Sequence, residues 1–226
     1  MKPTPAGRRV VTISDQQLAQ RCARGRVVLI DDDVQILSGL ASLIELEGYA
    51  CERYSSALDY LQVLNYNRPC FPGPCCLLCD VKMPELGGLE LQRRLAELDD
   101  TPLLLMSGAS GALEVAKAFR SGAVDFLIKP IDADVLLAAI AKALALSSQR
   151  QAQRQQQANL AERIASLTPR ERDIVRRVVA GQTNPAMAAE LGIALRTVKL
   201  HRQHALEKIG ATSMAELVRI ADTGAL

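Results

Sequence analysis

The feature that most constrains this chain is a set of short apolar runs, each ending in a polar or charged residue. RVVLI at 26–30 runs into Asp31, Asp32 and Asp33, and CCLLC at 75–79 into Asp80. LLLM at 103–106 ends at Ser107 and Gly108, and VDFLI at 124–128 ends at Lys129 and Pro130. A fifth run covers 49–54. Between them lie segments of helical spacing at 34–47, 56–64, 90–98 and 112–120, and Asp132 is placed to cap a helix from about residue 133. Uninterrupted apolar strands alternating with helices predict a five-stranded parallel sheet covered on both faces, an α/β doubly wound fold. Ligands of such sheets bind beyond the C-terminal strand ends. That rule brings Asp31, Asp32, Asp80, Ser107 and Lys129 to one rim.

Three carboxylates on a rim repel one another unless a cation lies among them. Oxygen donors of this kind suit a hard divalent ion such as Mg²⁺ or Mn²⁺. An ammonium and a hydroxyl beside them suit a phosphoryl group, with one carboxylate as the attacking nucleophile. The alternative for any single residue is a solvated strand-end cap.

Charge divides the chain. Residues 27–146 carry nine basic and seventeen acidic side chains, whereas 167–226 carry nine basic and six acidic. The first stretch suits a cation and the second suits phosphates. From Thr168 the pattern is purely helical: Thr-Pro-Arg-Glu at 168–171 starts one helix, Asn184-Pro185 the next, and a basic segment at 196–208 follows a glycine turn. A short helix, a turn and a basic second helix form the helix-turn-helix pattern. Aromatics at 3% and no tryptophan argue against a stacking platform for single strands. No apolar run is long enough for a transmembrane helix, and the first residues lack a secretory core, so a cytoplasmic protein without membrane contact is expected.

The matching pieces VVLIDDD at 27–33, LLCDVKMPELGG at 77–88, LLMSG at 104–108 and GAVDFLIKP at 122–130 resemble a bacterial response-regulator receiver domain. The resemblance implies that Asp80 is the phosphoacceptor and that Asp31 and Asp32 form the acidic pair, with Asp32 favoured as direct metal ligand. The Lys82 carbonyl would complete the protein's share of the metal shell. Ser107 and Lys129 would contact the phosphoryl group, Phe126 would be the switch aromatic, and Pro130 would follow a cis bond. Helix 112–120, strand 124–128 and the last receiver helix would form the dimer face. LTPRERDIVRRVVAGQTNPAMAAELGI at 167–193 and RTVKLHRQHALEKIG at 196–210 resemble the LuxR-type helix-turn-helix, so the whole resembles the FixJ/NarL class. That implies base-edge contacts from Lys199, Leu200 and Gln203, and phosphate contacts from Thr183, Asn184, Arg196 and Arg202. The serine and proline usual before the recognition helix are Ala194 and Leu195 here, which removes its N-cap.

The expected organisation is a flexible extension over 1–25, a receiver over 26–146, a helical linker over 147–166 and a DNA-binding domain over 167–226. The linker, rich in Gln and Arg, reads as a helical spacer or as a frayed low-complexity segment. Implied partners are a sensor histidine kinase, double-stranded promoter DNA, a second copy on phosphorylation, and RNA polymerase. Turnover of an external substrate is not expected: a haloacid-dehalogenase-type phosphatase needs an Asp two residues after its nucleophile, where Lys82 stands. The crowded thiols Cys70, Cys75, Cys76 and Cys79 read as small buried hydrophobes of a strand and its approach; a third functional reading makes Cys75, Cys76 or Cys79 a redox sensor beside Asp80.

Overall fold

A computed structural model describes residues 24–66, 73–98, 100–108 and 111–222. Residues 1–23 of the expected extension, Cys22 among them, and Cys70 lie outside the described residues. Contacts divide the chain into two compact units between Gln151 and Ala152.

In the first unit the elements run β1 Arg26–Ile30, α1 Val34–Leu46, β2 Ala50–Tyr54, α2 Ala57–Tyr66, β3 Cys75–Asp80, α3 Gly88–Leu98, β4 Leu103–Ser107, α4 Ala112–Arg120 and β5 Asp125–Ile128. The five strands form one parallel sheet in the order β2-β1-β3-β4-β5. The expected doubly wound sheet is therefore present, with the strand order reversing at β1/β3. Every residue of β3 and β4 is buried. Alternate residues feed two cores: Val28, Ile30, Leu77, Cys79 and Leu105 pack on one face, and Val27, Leu29, Cys76, Leu78, Leu104 and Met106 on the other.

Register then places the polar ends. Ile30 pairs with Cys79, so Asp31 and Asp80 emerge side by side at the switch point. Ser107 pairs with Ile128, and the Lys129 amide donates to the Ser107 carbonyl at 2.8 Å, which brings Lys129 to the same edge. α3 starts hard against this edge. A Cβ on Gly88 would stand 2.4 Å from the Asp80 carbonyl oxygen, so only glycine fits there.

α5, Ala133–Ala165, is one helix of 33 residues that begins at the Asp132 cap, whose Oδ1 accepts from the Asp134 amide at 2.9 Å. Its span includes most of the expected linker, but that segment is not all spacer. Ser147 is buried and accepts from the Cys75 amide at 3.0 Å, and Gln151 donates to the Gly73 carbonyl at 2.9 Å. Farther on, Leu160, Ile164 and Leu167 enter the core of the second unit. The longest uninterrupted exposed stretch is 151–159. No helix among the described residues is long and apolar enough to cross a membrane.

The second unit adds α6 Pro169–Val179, α7 Asn184–Leu191, α8 Leu195–Ile209 and α9 Met214–Asp222. Thr168 and Glu171 complete a capping box on α6. Ile174, Met187 and Val198 join α6, α7 and α8 in one core cluster. A second cluster contains Val175, Ala205, Ile209 and Leu217. α8 is one residue longer at each end than its expected 196–208, and its N-cap residue Ala194 makes no side-chain cap, as its sequence implies.

Glu171 does a second job. It is 4% exposed, and its Oε2 accepts from Lys208 Nζ at 2.7 Å, tying the start of α6 to the end of α8. The Lys208 hydrogen bond, followed by those from Thr168, holds the carboxyl below its usual pKa against the opposing effect of burial. A depressed carboxylate contributes stability that is present above the unfolded value near 4.5 and is lost as pH falls through the lower folded value. Glu171→Gln should therefore cost the helical unit about 2 kcal/mol at pH 7. The difference from wild type should shrink as pH falls below 4.5, read by hydrogen exchange of α6–α9 amides. A cost that persists unchanged at pH 3 would contradict this origin.

Candidate functional site

Four of the five rim residues predicted from strand ends meet. Lys129 Nζ lies 2.6 Å from Asp31 Oδ2 and 2.6 Å from Asp80 Oδ1. Asp31 is 1% exposed, Asp80 5% and Ser107 1%. The remaining carboxylate oxygens are also held. Asp31 Oδ1 accepts from the Asp33 amide at 2.9 Å, and Asp80 Oδ2 from the Lys82 amide at 2.7 Å. Burial alone would lower the Lys129 pKa, but hydrogen bonds to Asp31 and Asp80 outweigh it and raise the value, so the ammonium stays charged.

The acidic triplet splits into three roles. Asp31 is the buried member. Asp33 is the N-cap of α1, its Oδ1 accepting from the Gln35 and Ile36 amides at 2.8 and 3.3 Å. Asp32 is exposed at the edge. The Lys129-Pro130 bond is cis, as the resemblance implies. Phe126 is half-buried and packs against the core that holds Val28, Ile30 and Leu105.

Among the described residues, no three His, Cys, Asp or Glu side chains converge to cage a metal. Asp31 and Asp80 share the ammonium instead, and Asp32 faces solvent. The donor set still fits a hard ion on an open rim. It is all oxygen, and Mg²⁺ is usually bound by one or two carboxylates while keeping several waters. Among the described residues, the buried Ser107 hydroxyl has no hydrogen-bond partner. A buried polar group left unpaired carries a cost, and an oxygen-rich ligand at the rim would remove it.

The thiols have the wrong surroundings for a sensor. Cys75, Cys76 and Cys79 are buried in β3 and are free thiols. Burial pushes Cys51 up to about 12, and pushes Cys76 and Cys79 up as well. Thiolate is the reactive form, so burial at Cys76 and Cys79 opposes the redox reading and fits their role as packing residues.

In the helical unit, Arg196, Lys199, Leu200 and Gln203 are exposed on α8, opposite the buried Val198, Ala205 and Ile209. Asn184, Lys199, Arg202 and Gln203 line one groove of about 520 Å³, together with Glu207 and Thr212. Arg202 donates to Asn184 Oδ1 at 3.0 Å, so two of the expected phosphate contacts are already joined. Thr183 uses its hydroxyl to cap α7, accepting from the Ala186 amide at 3.4 Å. Sequence reasoning missed Glu207, whose Oε1 accepts from Gln203 Nε2 at 2.9 Å. The i, i+4 spacing of Gln203 and Glu207 was the available signal.

Comparison with known proteins covers both units. A model described as a response regulator receiver domain matches residues 27–141, and one described as bacterial regulatory proteins, luxR family, matches 165–221. The response regulator protein TodT of Pseudomonas putida is 36% identical over 198 residues, covering 87% of this chain and 85% of that protein. The transcriptional regulatory protein FixJ of Bradyrhizobium diazoefficiens is 34% identical over 201 residues, covering 88% and 95%. Among solved structures, the response regulator StyR is similar with a TM-score of 0.75 at 33% identity, covering 89% of this chain and 100% of that one.

Native protein at pH 8 should leave Cys75, Cys76 and Cys79 unmodified by an aromatic disulfide reagent, with all three reacting after denaturation; peptide mass spectrometry reads the sites. Labelling of Cys79 in the folded chain would reinstate a thiol role.

Proposed function

Since this chain belongs to the response regulators that join a receiver domain to a LuxR-type DNA-binding domain, we propose that phosphorylation of Asp80 controls its binding to promoter DNA. Its general role is transcription regulation within a two-component system. The observation that carries the finer reading is the Lys129 ammonium held between Asp31 and Asp80, with Ser107 at the adjoining strand end, its hydroxyl buried and without a partner among the described residues.

The chemistry follows from those groups. A carboxylate oxygen of Asp80 attacks the phosphorus of a phosphohistidine on the sensor kinase. The P–N bond breaks, its electron pair returns to the imidazole, and a proton from solvent neutralises that ring. The product is an aspartyl phosphate. Lys129 then holds charge on both sides of the new bond, and Ser107 donates to a phosphoryl oxygen. Asp31, Asp32, Asp80 and the Lys82 carbonyl would hold Mg²⁺ or Mn²⁺, which would supply neutralisation of the phosphoryl oxygens. Movement of Ser107 toward the phosphoryl group opens space into which the half-buried Phe126 turns.

That rearrangement reaches α4 and β5. Leu113 and Phe119 on α4 and Ile128 on β5 are exposed apolar side chains, which supports this face as the site where a second phosphorylated copy binds. Two copies bring two α8 helices to two half-sites in the major groove. Lys199, Leu200 and Gln203 face base edges there. Arg196, with the Arg202–Asn184 pair, is placed to meet backbone phosphates, and RNA polymerase is the further partner at the promoter.

With beryllofluoride and Mg²⁺, wild type should sediment as a dimer and bind its selected DNA site at least about tenfold more tightly. Asp80→Asn should do neither. An equal response from both proteins would contradict the role of Asp80.

A further inference from the structure

We propose that Gln92 is a latch on α4, a positioning residue that sets how readily this helix moves when Asp80 is phosphorylated. The inference rests on the proposed role of Asp80. Gln92 lies on α3 and is 4% exposed. Its Nε2 donates across to the Ala118 carbonyl of α4 at 3.1 Å. Its Oε1 is buried and has no hydrogen-bond partner among the described residues. The next residue back, Leu91, shares an apolar core with Ala118 and Ala123, against which Phe126 packs.

The two sides of this hydrogen bond are unequal. The Ala118 carbonyl also accepts from the Ala123 amide at 3.1 Å, so it keeps a partner whatever Gln92 does. Among the described residues, the Gln92 side chain has the Ala118 carbonyl alone. If α4 moves away, both polar ends of a buried amide are left unpaired, and that costs more than the net worth of one hydrogen bond. The rest of α4 is lightly attached: it starts at Gly111 without a side-chain cap, and it exposes Leu113 and Phe119. The amide therefore weights α4 toward the position it holds beside α3. Gln92 acts through the helix: it sets the balance between two positions of α4, and phosphorylation shifts that balance.

The test compares the full chain with its Gln92→Met variant, which keeps an unbranched side chain and removes both polar groups. Beryllofluoride is titrated with Mg²⁺ present, and dimerisation is followed by sedimentation. The variant should reach half of its dimer response at an at least about fivefold lower beryllofluoride concentration. It should also self-associate more strongly without beryllofluoride, a change that loss of stability alone would not produce. A half-response at the wild-type concentration or above it would overturn the latch. A second measurement needs no substitution. In wild type, beryllofluoride should free the Gln92 side-chain amide from Ala118, read by NMR as faster exchange of its protons with water. Unchanged or slower exchange there would equally overturn the proposal. Wild type and Asp80→Asn responding alike to beryllofluoride would instead remove the assignment of Asp80 on which the inference stands.

Discussion

One ammonium between two buried carboxylates organises the receiver. Asp31 and Asp80 leave neighbouring strands at the switch point, and two adjacent buried anions would repel each other strongly. Lys129 touches both and stays charged because both hold it. Its reach depends on β4 and β5 pairing so that Ser107 meets Ile128, which sets the last turn before Lys129. The sheet's register, the close approach of Gly88 to the Asp80 carbonyl, and the charge arrangement therefore specify one another. Removing one partner of such a cluster leaves an uncompensated buried charge, a cost of about 3 kcal/mol or more.

The helical unit uses the same physics for a different end. Glu171 is also a buried carboxylate held by an ammonium, Lys208, but its other hydrogen bonds close a capping box. It ties the start of α6 to the end of α8, and Ile174, Met187 and Val198 hold the middle of α8 in the core. The opposite face of α8, with Arg196, Lys199, Leu200 and Gln203, is thereby left exposed. At the rim the Ser107 hydroxyl is left without a partner among the described residues, whereas around Glu171 the polar groups are paired within the fold.

Much of this was legible in the sequence because apolar runs that end in charge carry both strand and site. Asp31, Asp80, Ser107 and Lys129 needed only the strand-end rule to be brought together, and Asp132 and Thr168 announced their helices by type and position. The missing cap at Ala194 was equally visible. What was hidden depended on partners distant in sequence or on side-chain choice. Nothing in three consecutive aspartates says that the first is buried, the second exposed and the third a helix cap. The spacer looked longer than its exposed stretch because Ser147 has its partner at Cys75, and Leu160 and Ile164 have theirs in the helical core. Arg202 and Asn184 were read as separate phosphate contacts, but the turn between α7 and α8 brings them together.

Asp80, held by Lys129, is proposed as the carboxylate that accepts the phosphoryl group. The most direct measurement treats the full chain with acetyl phosphate and Mg²⁺, reduces the product with borohydride, and locates the modified residue by peptide mass spectrometry. An aspartyl phosphate becomes homoserine under this treatment, so conversion at residue 80 alone is the predicted result. Conversion at Asp31 or Asp32, or none in a folded chain, would contradict the account.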